Sequence, residues 1–214
     1  MKLHIFKSGR ITAWKNLIIR EAGRGEQITL PVIFYLIEHK GQKFLFDTGL
    51  YLPDYEQEEN ADYIISVTEK ELAINQLTAI GIKPEDISGM ILSHWHRDHS
   101  GGIGDFPEVP CYVRKEELKE KRWFAKCDTA SWIYPEGKYD LCGDGRIVLI
   151  PTPGHTDGHQ SLLLTMDDGK KILLAADAAY TQETVGDELK KLADKVIAGH
   201  DCNFIYKENV LCMQ

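Results

Sequence analysis

Residues 93–102 read SHWHRDHSGG and gather three imidazoles, His94, His96 and His99, with one carboxylate, Asp98, in a single short segment. In extended chain, alternate side chains share a face, so His94 and His96 can converge on one cation. The chain then turns, which lets Asp98 and His99 face a second cation, while Gly101 and Gly102 relieve the backbone where it leaves. Imidazole nitrogen with carboxylate oxygen is a donor set for zinc, with manganese, iron or cobalt as alternatives in a hydrolytic site. A polar loop with surface histidines is the competing reading, and this density of ligands beside a buried strand argues against it.

Three further candidates follow: His155 in PTPGHT, Asp177 in LLAADAAY and His200 in IAGHD, each just past an apolar strand. Taken singly, each can be a strand-end residue that hydrogen-bonds a loop. Taken together they extend the ligand set. Two adjacent cations lower the pKa of a shared water and polarise the carbonyl that the hydroxide attacks, which is hydrolysis.

Short strands must position these loops. Residues 3–6 read as a first strand, and the stretch to Gly25 carries no firm period, leaving a hairpin or a loop over the site open. Residues 32–37 and 43–46 form a hairpin around Gly41 that ends at Asp47-Thr48-Gly49. After an acidic, irregular segment at 51–63, residues 68–80 predict an amphipathic helix with Thr68 and Glu71 as a capping box. Residues 90–92 are a buried strand that delivers the histidine cluster. Downstream come a strand at 111–114, a helix at 116–126, a loop-like stretch at 128–144, a strand at 146–150, a hairpin of 161–165 with 171–175, a short helix at 187–192 and a last strand at 196–198. With no repeat or linker, residues 1–214 read as a single layered domain whose ligands collect at one edge.

Composition narrows the function. A formal net charge of −8 disfavours a nucleic-acid partner, because phosphate contacts need clustered Lys and Arg. A small-molecule substrate fits better. Cys111, Cys127, Cys142, Cys202 and Cys212 are odd in number and form no CxxC pair, so they read as reduced and incidental. The amino terminus lacks the apolar run of a secretory signal and no stretch is long enough to span a bilayer, so the expectation is a cytoplasmic protein without a membrane partner.

The HxHxDH motif at 94–99, the later His155, Asp177 and His200, and the DTG loop at 47–49 resemble the metallo-β-lactamase superfamily along nearly the whole chain. The resemblance implies a mixed α/β (α+β) fold, a four-layer αββα sandwich. It implies that one metal takes His94, His96 and His155, the other Asp98, His99 and His200, and that Asp177 bridges them. DAAYTQE (177–183) and PGHTDGHQSL (153–162) look like the corresponding runs of N-acyl homoserine lactone lactonases. In those enzymes the tyrosine, here Tyr180, contacts the substrate carbonyl, and the motif aspartate, here Asp98, passes a proton to the leaving alkoxide. The alternative for Tyr180 is a core aromatic whose hydroxyl needs only a partner.

His159 reads as a hydrogen-bonded loop residue, Asp47 as a support that orients a ligand histidine, and Trp95 and Arg97 as pointing away from the metals. Trp14, Phe34 and Trp123 line a pocket or pack the core. The short acidic segment between Gly49 and Thr68 departs from the longer apolar arm of the lactonases and leaves the acyl group open. The leading expectation is thus a dinuclear hydrolase opening an acyl homoserine lactone or a related small ester. A thioesterase resembling glyoxalase II is the alternative, without an obvious basic patch for glutathione. An iron-binding redox module ranks lower, since its flavin domain has no room here.

Overall fold

The computed structural model describes residues 1–19, 22, 25–52, 62–124, 131–201 and 210–212. Its strands are β1 (Lys2–Trp14), β2 (Gln27–His39), β3 (Gln42–Phe46), β4 (Tyr63–Ser66), β5 (Gly89–Ile91), β6 (Cys111–Tyr112), β7 (Trp132–Ile133), β8 (Tyr139–Asp140), β9 (Ile147–Pro151), β10 (Gln160–Thr165), β11 (Lys171–Ala176), β12 (Lys195–Ala198) and β13 (Val210–Cys212). The α-helices are short: α1 (Lys15–Ile18), α2 (Ala73–Ala79), α3 (Arg97–Ser100) and α4 (Asp187–Lys190). One sheet runs β13-β1-β2-β3-β5-β6-β7, with β4 also paired to β1, and the other runs β12-β11-β10-β9-β8.

The sheets bury both faces, so strands such as β2 read as nearly continuous apolar runs. Inward from the first sheet come Leu3, Ile5, Ile33, Tyr35, Ile37, Phe44 and Phe46, which meet Ile147, Leu149, Leu162, Leu164, Ile172 and Leu174 of the second. The alternate residues Phe6, Phe34, Leu36 and Leu45 face outward against Ala73 and Leu77 of α2 and against Ile103 and Phe106. On the far side, Leu173, Ala175, Val196 and Ala198 pack with Val185 and Leu189. Helix, sheet, sheet and helix make the four layers. Among the described residues, no helix is long and apolar enough to cross a membrane.

Several elements differ from the sequence reading. The first strand continues to Trp14, because a bulge between Lys7 and Arg10, with Gly9 at a φ of 76°, resets its alternation and hides the period. The expected helix at 68–80 is interrupted at Leu72, which is extended (ψ 142°); a 3-10 turn, Glu69–Glu71, precedes it and α2 follows. The capping pair survives, since Glu71 accepts the Thr68 backbone N–H at 2.8 Å. The expected helix at 116–126 is a 3-10 helix, Lys115–Phe124, and its last two residues lie outside the described ones. The loop-like stretch holds β7 and β8, and β4 falls where an irregular segment was expected to end.

The layout explains the site. β5 runs parallel to β3, and β12 parallel to β11. The carboxyl ends of β3, β5, β9, β11 and β12 then present Asp47, residues 94–99, His155, Asp177 and His200 along one edge.

Candidate metal centre

All seven ligand candidates meet at that edge. His94 Nε2, His96 Nδ1 and His155 Nε2 stand 3.0, 3.1 and 2.8 Å apart in pairs. That is near the edge of a zinc tetrahedron, about 3.3 Å for metal–nitrogen bonds of about 2.0–2.1 Å. Asp98, His99 and His200 form a second group. Asp98 Oδ2 lies 3.4 Å from His99 Nε2 and 3.6 Å from His200 Nε2. Asp177 stands between them with one oxygen for each. Its Oδ2 is 3.3 Å from His155 Nε2 and 3.8 Å from His94 Nε2, and its Oδ1 is 3.1 Å from His99 Nε2 and 3.2 Å from His200 Nε2.

The donor set passes a direct test of fit to cations. His99 Nε2 and Asp177 Oδ1 are buried and, although 3.1 Å apart, neither is satisfied by a well-aligned hydrogen bond. Unpaired buried polar atoms are costly, by about 1–3 kcal/mol each, unless an ion or water completes them. Five imidazoles and two carboxylates in two groups suit two divalent cations.

Local backbone explains why these side chains converge. Asp47, at a φ of 60°, and Ala176, at a φ of 46°, occupy the sparsely populated left-handed region beside the cluster. Asp47 accepts the Ser93 N–H at 2.7 Å and pairs with His99 Nδ1 at 2.8 Å, which turns Nε2 toward the second group. His200 Nδ1 donates to the Pro31 carbonyl at 2.9 Å. The loops after β11 and β12 are zipped together by Gly199 N–H to Ala179 O, 2.8 Å, and His200 N–H to Tyr180 O, 2.9 Å. A Cβ at residue 199 would lie 2.7 Å from the Ala176 carbonyl oxygen and 2.8 Å from Asp177 Oδ1, so this approach requires glycine.

Electrostatics separates the groups. Burial drives His94 well below the ordinary histidine value and His155 down to about 4. Burial opposes protonation of His99 and His200 too, but Asp177 and Asp98 outweigh it and raise both. Asp177 and Asp98 are in turn lowered, since the His99 and His200 charges overcome the cost of burial. Asp47 is raised by burial. Tyr180 is raised by burial and then by Asp177 and Asp98, so its phenol keeps its proton. Its hydroxyl stands 2.9 Å from His155 Nδ1, and its ring stacks on His200.

A cleft of about 330 Å³ opens over the cluster. Ile11, Ala13, Leu17, Ile18, Leu30 and Ile65 line it, together with Tyr63, Arg97, His96, Asp98, His155, Asp177, Tyr180 and His200. Cross-strand register puts Ile11 opposite both Leu30 and Ile65.

His159, which is buried, takes the Asp177 backbone N–H on Nε2 at 3.1 Å and meets Thr152 Oγ1 through Nδ1 at 2.8 Å. Burial holds it down at about 3. Arg97 departs from expectation: it lines the cleft, with its guanidinium 6.0 Å from the Tyr63 ring centroid. The extended alternation ends at His96, and α3 begins at Arg97, so helical geometry redirects the side chain. Trp95 is buried in the outer layer beside Trp132. Phe34 is core, stacked on Phe6, whereas Trp14 is 37% exposed and is not among the cleft residues. The Trp123 side chain lies outside the description.

Sequence reasoning missed Ser93, whose hydroxyl reaches Asp47 Oδ2 at 2.9 Å and His94 Nδ1 at 3.0 Å. It missed Pro31, whose contribution is a backbone carbonyl, and Glu117, a buried carboxylate. A serine next to the first ligand histidine was the only one of these signals available in the sequence.

Comparison with known proteins identifies the family and the fold. The metallo-β-lactamase superfamily model matches residues 29–203. The N-acyl homoserine lactonase AttM of Rhizobium radiobacter is 32% identical over 203 residues, covering 85% of this chain and 77% of the relative. An N-acyl homoserine lactone hydrolase solved with N-hexanoyl-L-homoserine bound at its catalytic metal centre superimposes with a TM-score of 0.81 at 27% identity, covering 94% of this chain and 93% of that one. A quorum-quenching N-acyl homoserine lactone hydrolase gives a TM-score of 0.78 at 29% identity, covering 94% and 92%. With this match and this ligand geometry, the chain belongs to the metallo-β-lactamase superfamily, in the branch that contains the N-acyl homoserine lactonases.

Proposed function

We propose that this chain, as one domain, is a dinuclear metal hydrolase that opens the lactone ring of N-acyl homoserine lactones. One observation carries the reading: Asp177 offers a separate oxygen to each of two ligand groups at the floor of an apolar-walled cleft. We assign His94, His96 and His155 to one cation, Asp98, His99 and His200 to the other, and Asp177 to both. Two divalent cations, zinc by our reading, supply Lewis acidity and acidify water when bound there.

The remaining steps belong to this chain. His155 faces its group through Nε2, so its Nδ1 carries the proton and donates to the Tyr180 oxygen. The phenol hydrogen is then free to bond the substrate carbonyl oxygen as negative charge develops there. Asp98, an ionised carboxylate at the cleft floor, takes a proton from the attacking water and hands it to the leaving alkoxide. Water adds to the carbonyl carbon, the acyl C–O bond of the ring breaks, and a carboxylate and a hydroxyl remain. The apolar wall built on Ile11, Leu30 and Ile65 seats the acyl chain and keeps water from it. Five cysteines, an odd number with no CxxC pair, support a cytoplasmic location.

The test is proton release from a panel of acyl homoserine lactones by metal-loaded protein, with Asp98→Asn alongside. Ring opening that the variant loses is the expected result. No opening by protein carrying two metals overturns the lactonase reading and directs the search to thioesters and other small esters.

A further inference from the structure

Glu117 sits in the charged run KEELKEK, yet it is 1% exposed. Its carboxylate is engaged by the two loops that carry the first imidazole group. Oε2 accepts the backbone N–H of Trp95, the residue between His94 and His96, at 3.0 Å. Oε1 accepts the Thr156 hydroxyl at 2.5 Å and the Gly158 N–H at 2.8 Å, just beyond His155. These loops leave different sheets, one after β5 and the other after β9. The contact depends on glycine, because a Cβ at residue 158 would lie 2.8 Å from Glu117 Cγ and Oε1.

We infer that Glu117 is a positioning residue that clamps the His94–His96 loop to the His155 loop and thereby sets the affinity of that one metal position. The inference rests on the two-cation reading above. The other position has its own anchors, since Asp47 holds His99 and the Pro31 carbonyl holds His200. Glu117 therefore acts on one position selectively. Glutamine is a sharp probe, because its amide nitrogen must face either the Trp95 N–H or the Gly158 N–H, and one loop loses its backbone tie whichever way it turns.

Wild-type protein, Glu117→Gln, Gly158→Ala and Thr156→Ala are loaded with zinc and equilibrated against a graded competing chelator. Metal per chain is measured by atomic emission, and far-UV circular dichroism on the same samples reports folding. The wild type is expected to hold two zinc ions. Glu117→Gln and Gly158→Ala are expected to lose one of them at roughly 10–100-fold lower chelator strength, the range for groups that orient metal ligands. Thr156→Ala, which spares the carboxylate and both backbone ties, shifts the same ion by less.

At a chelator strength that has already stripped one ion from Glu117→Gln, adding His96→Ala should release nothing more, whereas adding His200→Ala should release the second ion. Retention of both ions by Glu117→Gln at wild-type chelator strength, or their release in parallel, overturns the inference. If Glu117→Gln does not fold, Thr156→Ala decides, and equal effects on both ions overturn the inference. A wild type holding fewer than two ions is a different failure, that of the two-cation reading itself.

Discussion

The two ligand groups are built by different means. His99 and His200, in the second, are each locked through the far ring nitrogen, by Asp47 and by the Pro31 carbonyl. In the first, the far nitrogens of His94 and His155 meet only the neutral hydroxyls of Ser93 and Tyr180, and Glu117 gathers the backbones that carry the rings. Charge follows the same division. Burial leaves His94 and His155 with lowered pKa values, whereas Asp98 and Asp177 raise those of His99 and His200. The second group is anchored by a carboxylate and a carbonyl on its rings, and the first by a carboxylate on its loops, so a single lost contact should cost each a different kind of order.

Asp177 offers one carboxylate oxygen to each group, and changing it tests whether they are separable at all. Asp177→Asn removes a charge that faces four imidazoles. The expected outcome is a loss of at least about 10³-fold in kcat/KM together with weaker binding of both metals. Full retention of two metals would show that the groups are held without their shared carboxylate.

Tyr180 touches both groups differently, by a hydrogen bond to His155 and a ring stacked on His200. If its hydroxyl serves the substrate carbonyl, Tyr180→Phe lowers kcat by about 10²-fold with both metals retained. If it serves only to hold His155, the same variant instead weakens the metal of the first group. Metal content and steady-state kinetics of one preparation separate these outcomes.

Asp47→Ala aims first at the second group, and reaches the first only through Ser93, whose hydroxyl links Asp47 to His94 Nδ1. It leaves His99 Nδ1 without its partner and is expected to weaken one metal by roughly 10–100-fold while the other stays. Chelator titration checks this, and together with Glu117→Gln it forms a reciprocal pair. Equal loss of both metals in either variant would dissolve the distinction between ring-held and loop-held ligands.

The sequence discloses the two groups unevenly, for a physical reason. His94, His96, Asp98 and His99 announce themselves because one strand end carries them all, and His155, Asp177 and His200 because each follows an apolar run. What holds them is less visible. Pro31 contributes a carbonyl, which side-chain identity does not report. Glu117 hides among exposed charges, and its inward direction depends on a 3-10 helix where the pattern suggested an α-helix. Most strands were readable from their apolar runs, but β4, β7 and β8 are too short to show a period, and the bulge at Lys7 to Arg10 broke the alternation of β1. That break concealed the strand that carries Ile11 and Ala13, and with it the apolar wall of the cleft.

The smallest expected effect comes from that wall and should disturb neither ligand group. Leu17 lies on α1 at the cleft and is 51% exposed, so Leu17→Ser removes apolar contact at modest cost to stability. A buried methylene is worth about 0.8 kcal/mol, and a half-exposed side chain covers few of them, so KM for a long acyl chain should rise about 3–10-fold. The shortest acyl chain, which does not reach Leu17, should keep its KM, and kcat should hold for both. Kinetics across a chain-length series read the difference directly. A uniform rise in KM for all lengths would mean that Leu17 shapes the floor through α1 rather than the wall, and the cleft would then be coupled to the metal groups beneath it.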